Sequence, residues 1–175
     1  MLIKDNDSND VATKREPLEE ELEEIKEYHF HVYFFQNNKK DCEAAIALRE
    51  KILELTKKGF FHPVPFHRVN YQPMGSYEVW CPKEHFSRVY SWFLLHRGDL
   101  SILIHPLTKE QVKDHTSRSA WIGPSIPLDV EKLPPILKKT PLQYPELGLG
   151  YSAPTDYLDS NEYAVFEDDL ASNND

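Results

Sequence analysis

The stretch Tyr28-His29-Phe30-His31-Val32-Tyr33-Phe34-Phe35 reads as a β-strand. Val, Tyr and Phe favour a pleated, packed backbone, and neither Gly nor Pro interrupts them. With a side-chain period of two, Phe30, Val32 and Phe34 share one face and suit a core. His29, His31 and Tyr33 share the other. At a rise near 3.4 Å per residue the two imidazoles stand about 7 Å apart. They can converge on one metal ion if neighbouring strands supply further ligands. They can equally be solvated side chains on an open sheet face, or part of a dimer interface.

Working outward, Asn37 or Asn38 caps a helix over residues 39–58, with Ala45, Leu48, Ile52 and Leu55 at helical spacing and Gly59 as its stop. Phe66–Tyr71 alternates as a second strand, and Gln72-Pro73-Met74-Gly75 has turn chemistry. Ser76–Cys81 is a third strand, with Tyr77 and Val79 on one face and Glu78 and Trp80 on the other. Pro82 suits the first position of a second helix, whose apolar stripe is Phe86, Val89, Tyr90 and Phe93. Leu100–His105 is a fourth strand, ended by Pro106. Beyond it, Thr108 caps a short helical turn, Trp121-Ile122-Gly123-Pro124 has the look of a docked turn, and Leu128–Leu137 is a short closing segment.

The order strand–helix–strand–strand–helix–strand specifies an α+β, ferredoxin-like βαββαβ arrangement. It implies an antiparallel four-stranded sheet, ordered 4-1-3-2, with two helices on one face. The first strand is expected at the centre, antiparallel to the fourth and parallel to the third. His105 then lies beside the start of the first strand. Glu78 and the Gln72-Pro73 turn are expected at that same end. Read independently, three strands send His29, His31, Glu78 and His105 to the face away from the helices.

Charge divides the chain into three parts. The net charge is −9. Residues 1–27 carry −6 and form an acidic, largely disordered leader; residues 141–175 carry −8 and form an acidic, mostly irregular tail. The folded domain, residues 28–140, is left with +5, too little to argue for nucleic acid. Cys42 and Cys81 provide neither a disulfide framework nor a Cys-x-x-Cys metal pair, and fit a reducing compartment. No apolar run nears the roughly 20 residues that cross a bilayer, and the N-terminus lacks a targeting pattern. The cytoplasm is the default location, with nuclear entry left open.

His29-x-His31-Val32-Tyr33-Phe34, Ser76-Tyr77-Glu78-Val79, Leu103-Ile104-His105-Pro106, and Asp114-His115-Thr116 through Trp121-Ile122-Gly123 together resemble the DOPA 4,5-dioxygenase family over residues 28–133. The resemblance implies extradiol cleavage of a catechol, DOPA or a relative, with O2 as co-substrate. It also implies a non-haem metal, usually Fe(II), with zinc an alternative in purified protein, and a small, often homodimeric molecule; composition alone gives the expectation of neither a nucleic-acid nor a membrane partner. On this reading His29, His31 and His105 hold the metal, with Glu78 the runner-up ligand. His115 moves the catechol proton, Asp114 orients an imidazole, and Gln72, Glu78 and Arg118 face the substrate. One departure stands out. The family commonly has Gly-Pro-His-Pro before its third strand, where this chain reads Asn70-Tyr71-Gln72-Pro73. Gln is a poor ligand for Fe(II). The alternative is therefore a catalytically impaired ferredoxin-like module that binds a ligand, metal or protein on its open sheet face.

Overall fold

The computed structural model describes residues 25–59, 62–63 and 74–154. Strand β1 is Glu27–Phe35 and helix α1 is Lys39–Thr56; the two-residue strand β2 is His62–Pro63, and β3 is Met74–Pro82. A 3-10 turn, Lys83–His85, leads into α2, Phe86–His96. Then come β4 (Ser101–Pro106), α3 (Gln111–His115) and β5 (Ala120–Ile122). Two further 3-10 turns, Pro145–Leu147 and Gly150–Ser152, close the described chain.

The sheet order is β2-β3-β1-β4-β5, antiparallel at every pairing. This is the expected α+β, ferredoxin-like arrangement, with β1 at its centre and β5 added beyond β4. Trp121-Ile122 thus extends the sheet instead of forming a docked turn, and Leu103 lies opposite Trp121. The strand read over residues 66–71 lies outside the described residues.

One expectation is corrected. β1 and β3 run antiparallel, not parallel, with Glu27 opposite Pro82 and Phe35 opposite Met74. The crossover through α1 returns the chain to its starting end, so β2 runs the same way as β1. The antiparallel step from β2 to β3 then reverses direction. The start of β3 therefore lies at the far end of β1 from His29. Glu78, in mid-strand, still falls opposite His31.

Local chemistry explains the elements. Asn38 is the N-cap of α1, and its side-chain carbonyl accepts from the backbone N–H groups of Lys40 and Asp41. Pro82 ends β3 in extended backbone and does not open α2, which starts after the 3-10 turn. The core lies on one face of the sheet. Phe30 and Val32 of β1, Tyr77 and Val79 of β3, and Ile102 and Ile104 of β4 pack with Ala45, Leu48 and Ile52 of α1 and Val89 and Phe93 of α2. Phe30 and Phe93 stack with ring centroids 5.2 Å apart.

The opposite face is not open. Trp80 and Leu107 are buried there beneath Tyr144 and Leu149, from the segment read as irregular tail. Glu27, placed by sequence in the leader, begins β1 and is buried.

Replacing Phe93 by Ala is expected to destabilise the fold by about 3–5 kcal/mol, since a fully buried aromatic is lost and a cavity left. Leu95→Ala, on a side chain that is 79% exposed, should cost under about 0.5 kcal/mol. Equilibrium urea unfolding measures both; equal effects would contradict the placement of this core.

Candidate metal centre

The pleat that turns Phe30 and Val32 to the core turns His29 and His31 to the other side. The register of β1 with β4 sets His29 directly opposite His105. One nitrogen from each of His29, His31 and His105 lies within 4.8 Å of the others. His31 Nε2 and His105 Nε2 are 2.9 Å apart. The ring of His115, from α3, lies with its centroid 3.9 Å from that of His105 and 6.0 Å from that of His31. Glu78 Oε2 is 3.6 Å from both His29 Nδ1 and His31 Nε2.

The hydrogen bonds assign tautomers. His105 Nδ1 lies 2.8 Å from the Pro106 carbonyl, and His115 Nδ1 lies 2.9 Å from the Gln111 carbonyl. A carbonyl can only accept, so each Nδ1 carries a proton, and in the neutral ring Nε2 presents the lone pair.

Burial sets the charge state. It pushes the His31 imidazole well below its ordinary pKa, and the neighbouring His105 and His29 push the same way. His105 is likewise driven well down by burial, with His115 adding to the effect. Burial lowers His29 too, against the opposing pull of the Glu78 carboxylate. The 3.6 Å histidine–carboxylate contacts are therefore contacts of neutral rings in the metal-free chain, not full ion pairs. Burial pushes the Tyr33 phenol up to about 12, so it stays protonated.

Neutral imidazoles with converging ring nitrogens are the donor set a divalent transition metal takes, and a metal would displace the proton that His31 Nε2 shares with His105 Nε2. His29 Nε2 is buried with no hydrogen-bond partner. Such orphaned atoms are scarce in folded proteins and fit an atom that binds a cation. The Nδ1–H bond from His105 to a backbone carbonyl is the usual second contact of a metal-binding imidazole. The residues fit a metal.

His29, His31, Glu78, His105 and His115 line a cavity of about 530 Å³, within the size range of small-molecule sites. Tyr33, Gln111 and Gln143 add polar groups, while Leu107, Ile126, Leu128, Val130 and Leu133 make apolar walls. The Leu128–Leu137 segment thus borders the site.

Two sequence candidates sit differently from their expected roles. Asp114 is fully buried, and its carboxylate accepts from the Thr108 backbone N–H, the Thr108 hydroxyl and the Arg118 guanidinium. It fixes the loop before α3; the hydrogen bond that orients His115 comes instead from Gln111. Arg118 pairs with Asp114 and Glu110 and is absent from the cavity wall. Gln72 lies outside the described residues. Sequence reasoning missed Gln111 and Gln143. Gln111 carries a detectable signal, one helical turn before His115. Gln143, between prolines, carries none.

Because the folded-state imidazoles titrate below their ordinary value of 6.5, the unfolded chain takes up protons first as pH falls. The histidine contribution to the stability of the metal-free protein is thus fully present above that value. It is lost as pH falls toward the depressed pKa values. Thermal unfolding of chelator-treated protein should show the midpoint falling as pH drops from 7.5 to 5.5. His31→Phe should flatten that slope; a midpoint that rises on acidification would contradict the burial of these rings as neutral groups.

Comparisons with known proteins identify the family of this chain. The model of the Dopa 4,5-dioxygenase family matches residues 28–132. A DOPA 4,5-dioxygenase from Amanita muscaria is 49% identical over 152 residues, covering 84% of this chain and 67% of its own length. An uncharacterized 21.2 kDa protein from Botryotinia fuckeliana is 31% identical over 117 residues, which is 59% of this chain and 61% of that protein. A crystal structure from Nostoc punctiforme, described as "a putative dioxygenase", superposes with a TM-score of 0.51 at 29% identity, over 67% of this chain and 95% of that one. The chain belongs to the Dopa 4,5-dioxygenase family.

Proposed function

We propose that this protein is a non-haem Fe(II) dioxygenase that opens a catechol ring by extradiol cleavage with O2. The observation that carries the reading is the cluster of His29, His31 and His105 facing a cavity of about 530 Å³ in a member of this family. The reaction needs no external reductant. The catechol supplies the electrons, one ring carbon–carbon bond breaks beside a hydroxylated carbon, and both oxygen atoms enter the product.

His29, His31 and His105 are the proposed ligands, with the Glu78 carboxylate in reach of the same position. When bound, the metal supplies positive charge that lowers a catechol hydroxyl pKa and a template that gathers both reactants. The chain does the rest. Leu107, Ile126, Leu128, Val130 and Leu133 form an apolar slot that suits an aromatic ring and excludes water. His115 offers a bare Nε2 beside the cluster, placed to take a proton from a catechol hydroxyl and return it when the ring opens. The Gln111 carbonyl keeps that nitrogen free by holding Nδ1–H. Asp114, Thr108 and Arg118 keep α3 and His115 in place. Tyr33 remains a protonated hydrogen-bond donor on the cavity wall.

No helix among the described residues is long and apolar enough to cross a membrane.

Anaerobic loading with Fe(II), followed by O2 uptake and visible absorbance across a catechol panel, tests the reading. Turnover is expected for at least one catechol, and His31→Ala should abolish metal retention with it. His115→Ala should retain metal but lower kcat by about 10²–10⁴-fold, the usual worth of a general acid–base group. Full metal content in His31→Ala would sink the ligand assignment. A metal-loaded protein inert across the panel, with Gln72→His gaining activity, would favour the impaired binding module.

A further inference from the structure

The family match ends at residue 132, yet a later segment lines the histidine cavity. Pro141 and Gln143 line that cavity. Tyr144 packs on Trp80 at 5.1 Å between ring centroids, and Leu149 joins the buried contact of Trp80 with Leu107. Two carboxylates then pin the strap through its backbone. Glu84 accepts from the Gly150 N–H at 3.2 Å, and Glu27 Oε1 accepts from the Tyr151 N–H at 3.0 Å. Glu27 Oε2 accepts from Trp80 Nε1 at 2.9 Å, tying strap, β1 and β3 together. Gly150 has a φ of +60°, and a Cβ there would lie 2.5 Å from Glu27 Cγ. Glycine is required at that close approach. These contacts fix the segment that carries Pro141 and Gln143 to the cavity wall.

Its contribution to the cavity is an unpaired acceptor. Gln143 lies beside His29, close enough for its amide to favour the charged ring. No hydrogen bond of good geometry forms, however, and Gln143 Oε1 and His29 Nε2 are both buried without partners. Gln143 Oε1, buried at the cavity wall, is left to accept from whatever occupies the cavity. An apolar slot leaves a bound ring's own hydroxyl as the fitting donor.

We propose that Gln143, delivered by the strap of residues 141–152, orients the substrate by accepting a hydrogen bond from a catechol hydroxyl through Oε1. This deepens the dioxygenase reading and rests on it for the identity of the ligand. It adds a specificity-determining residue from a part of the chain beyond the family match.

The test uses the full chain loaded with zinc, which is redox-inert, so binding is read apart from turnover. Calorimetry measures Kd for catechol and for its monomethyl ether in wild type, Gln143→Leu and Gln143→Ala. Loss of one hydrogen bond should weaken catechol binding by about five- to tenfold. Zinc content should not change, and selectivity for catechol over the ether should shrink. A Kd unchanged within about twofold, or equal weakening of both ligands, would overturn the proposal while leaving the dioxygenase reading intact. Catechol binding to wild type with the expected loss in the variants, but no ring cleavage by the Fe(II) protein, would support Gln143 and overturn the reaction. If the zinc-loaded wild type binds no catechol, both are overturned.

Discussion

The antiparallel register that sets His29 directly opposite His105 is the constraint on which the rest of the site depends. Register in a sheet with one buried face is set by the apolar pattern, because a slip of one residue sends every side chain to the wrong side. Phe30 opposite Ile104 and Val32 opposite Ile102 hold β1 and β4 against the helices. On the other partner, Phe30 opposite Val79 and Val32 opposite Tyr77 do the same for β3. The same pairings leave His29, His31, Glu78 and His105 no choice of face. The core thus positions the donors without touching them.

Burial turns this geometry into chemistry. Imidazoles on a solvated sheet face would be partly protonated near neutral pH and would repel a cation. Here the walls from residues 126–133, with Pro141 and Gln143, shield the rings from water, and desolvation drives His29, His31 and His105 to the neutral form that binds metal. Backbone carbonyls of Pro106 and Gln111 then choose which nitrogen of His105 and His115 stays bare. The cost is a set of buried polar atoms lacking partners, His29 Nε2 and Gln143 Oε1 among them. Such local conflicts gather where function requires them.

The parts of the fold readable in the sequence are those with a local period. The alternation around His29 and His31, the helical spacing of Ala45, Leu48 and Ile52, and the Asn38 cap each follow from a few adjacent residues. Together with chain order they place His105 next to His29 without any coordinates. The direction of β3 relative to β1 follows from counting chain reversals and is written in no residue. Ala120–Ile122 is too short to show alternation, so β5 passes for a turn. The strap was hidden for a different reason. Glu27 reaches Tyr151 across 124 positions and Glu84 reaches Gly150 across 66, and neither end carries a periodic signal. Arg118 and Asp114 illustrate the converse. Their residue types suit a site, but they satisfy one another beside it.

The central claim is that His29, His31 and His105 together hold the metal. X-ray absorption at the iron edge of anaerobically Fe(II)-loaded protein tests it most directly, because imidazole rings give multiple-scattering features that carboxylate and water ligands lack. The account predicts three histidine ligands in the wild-type protein and two in His105→Ala. Iron surrounded by oxygen ligands alone, or a spectrum unchanged by His105→Ala, would contradict it.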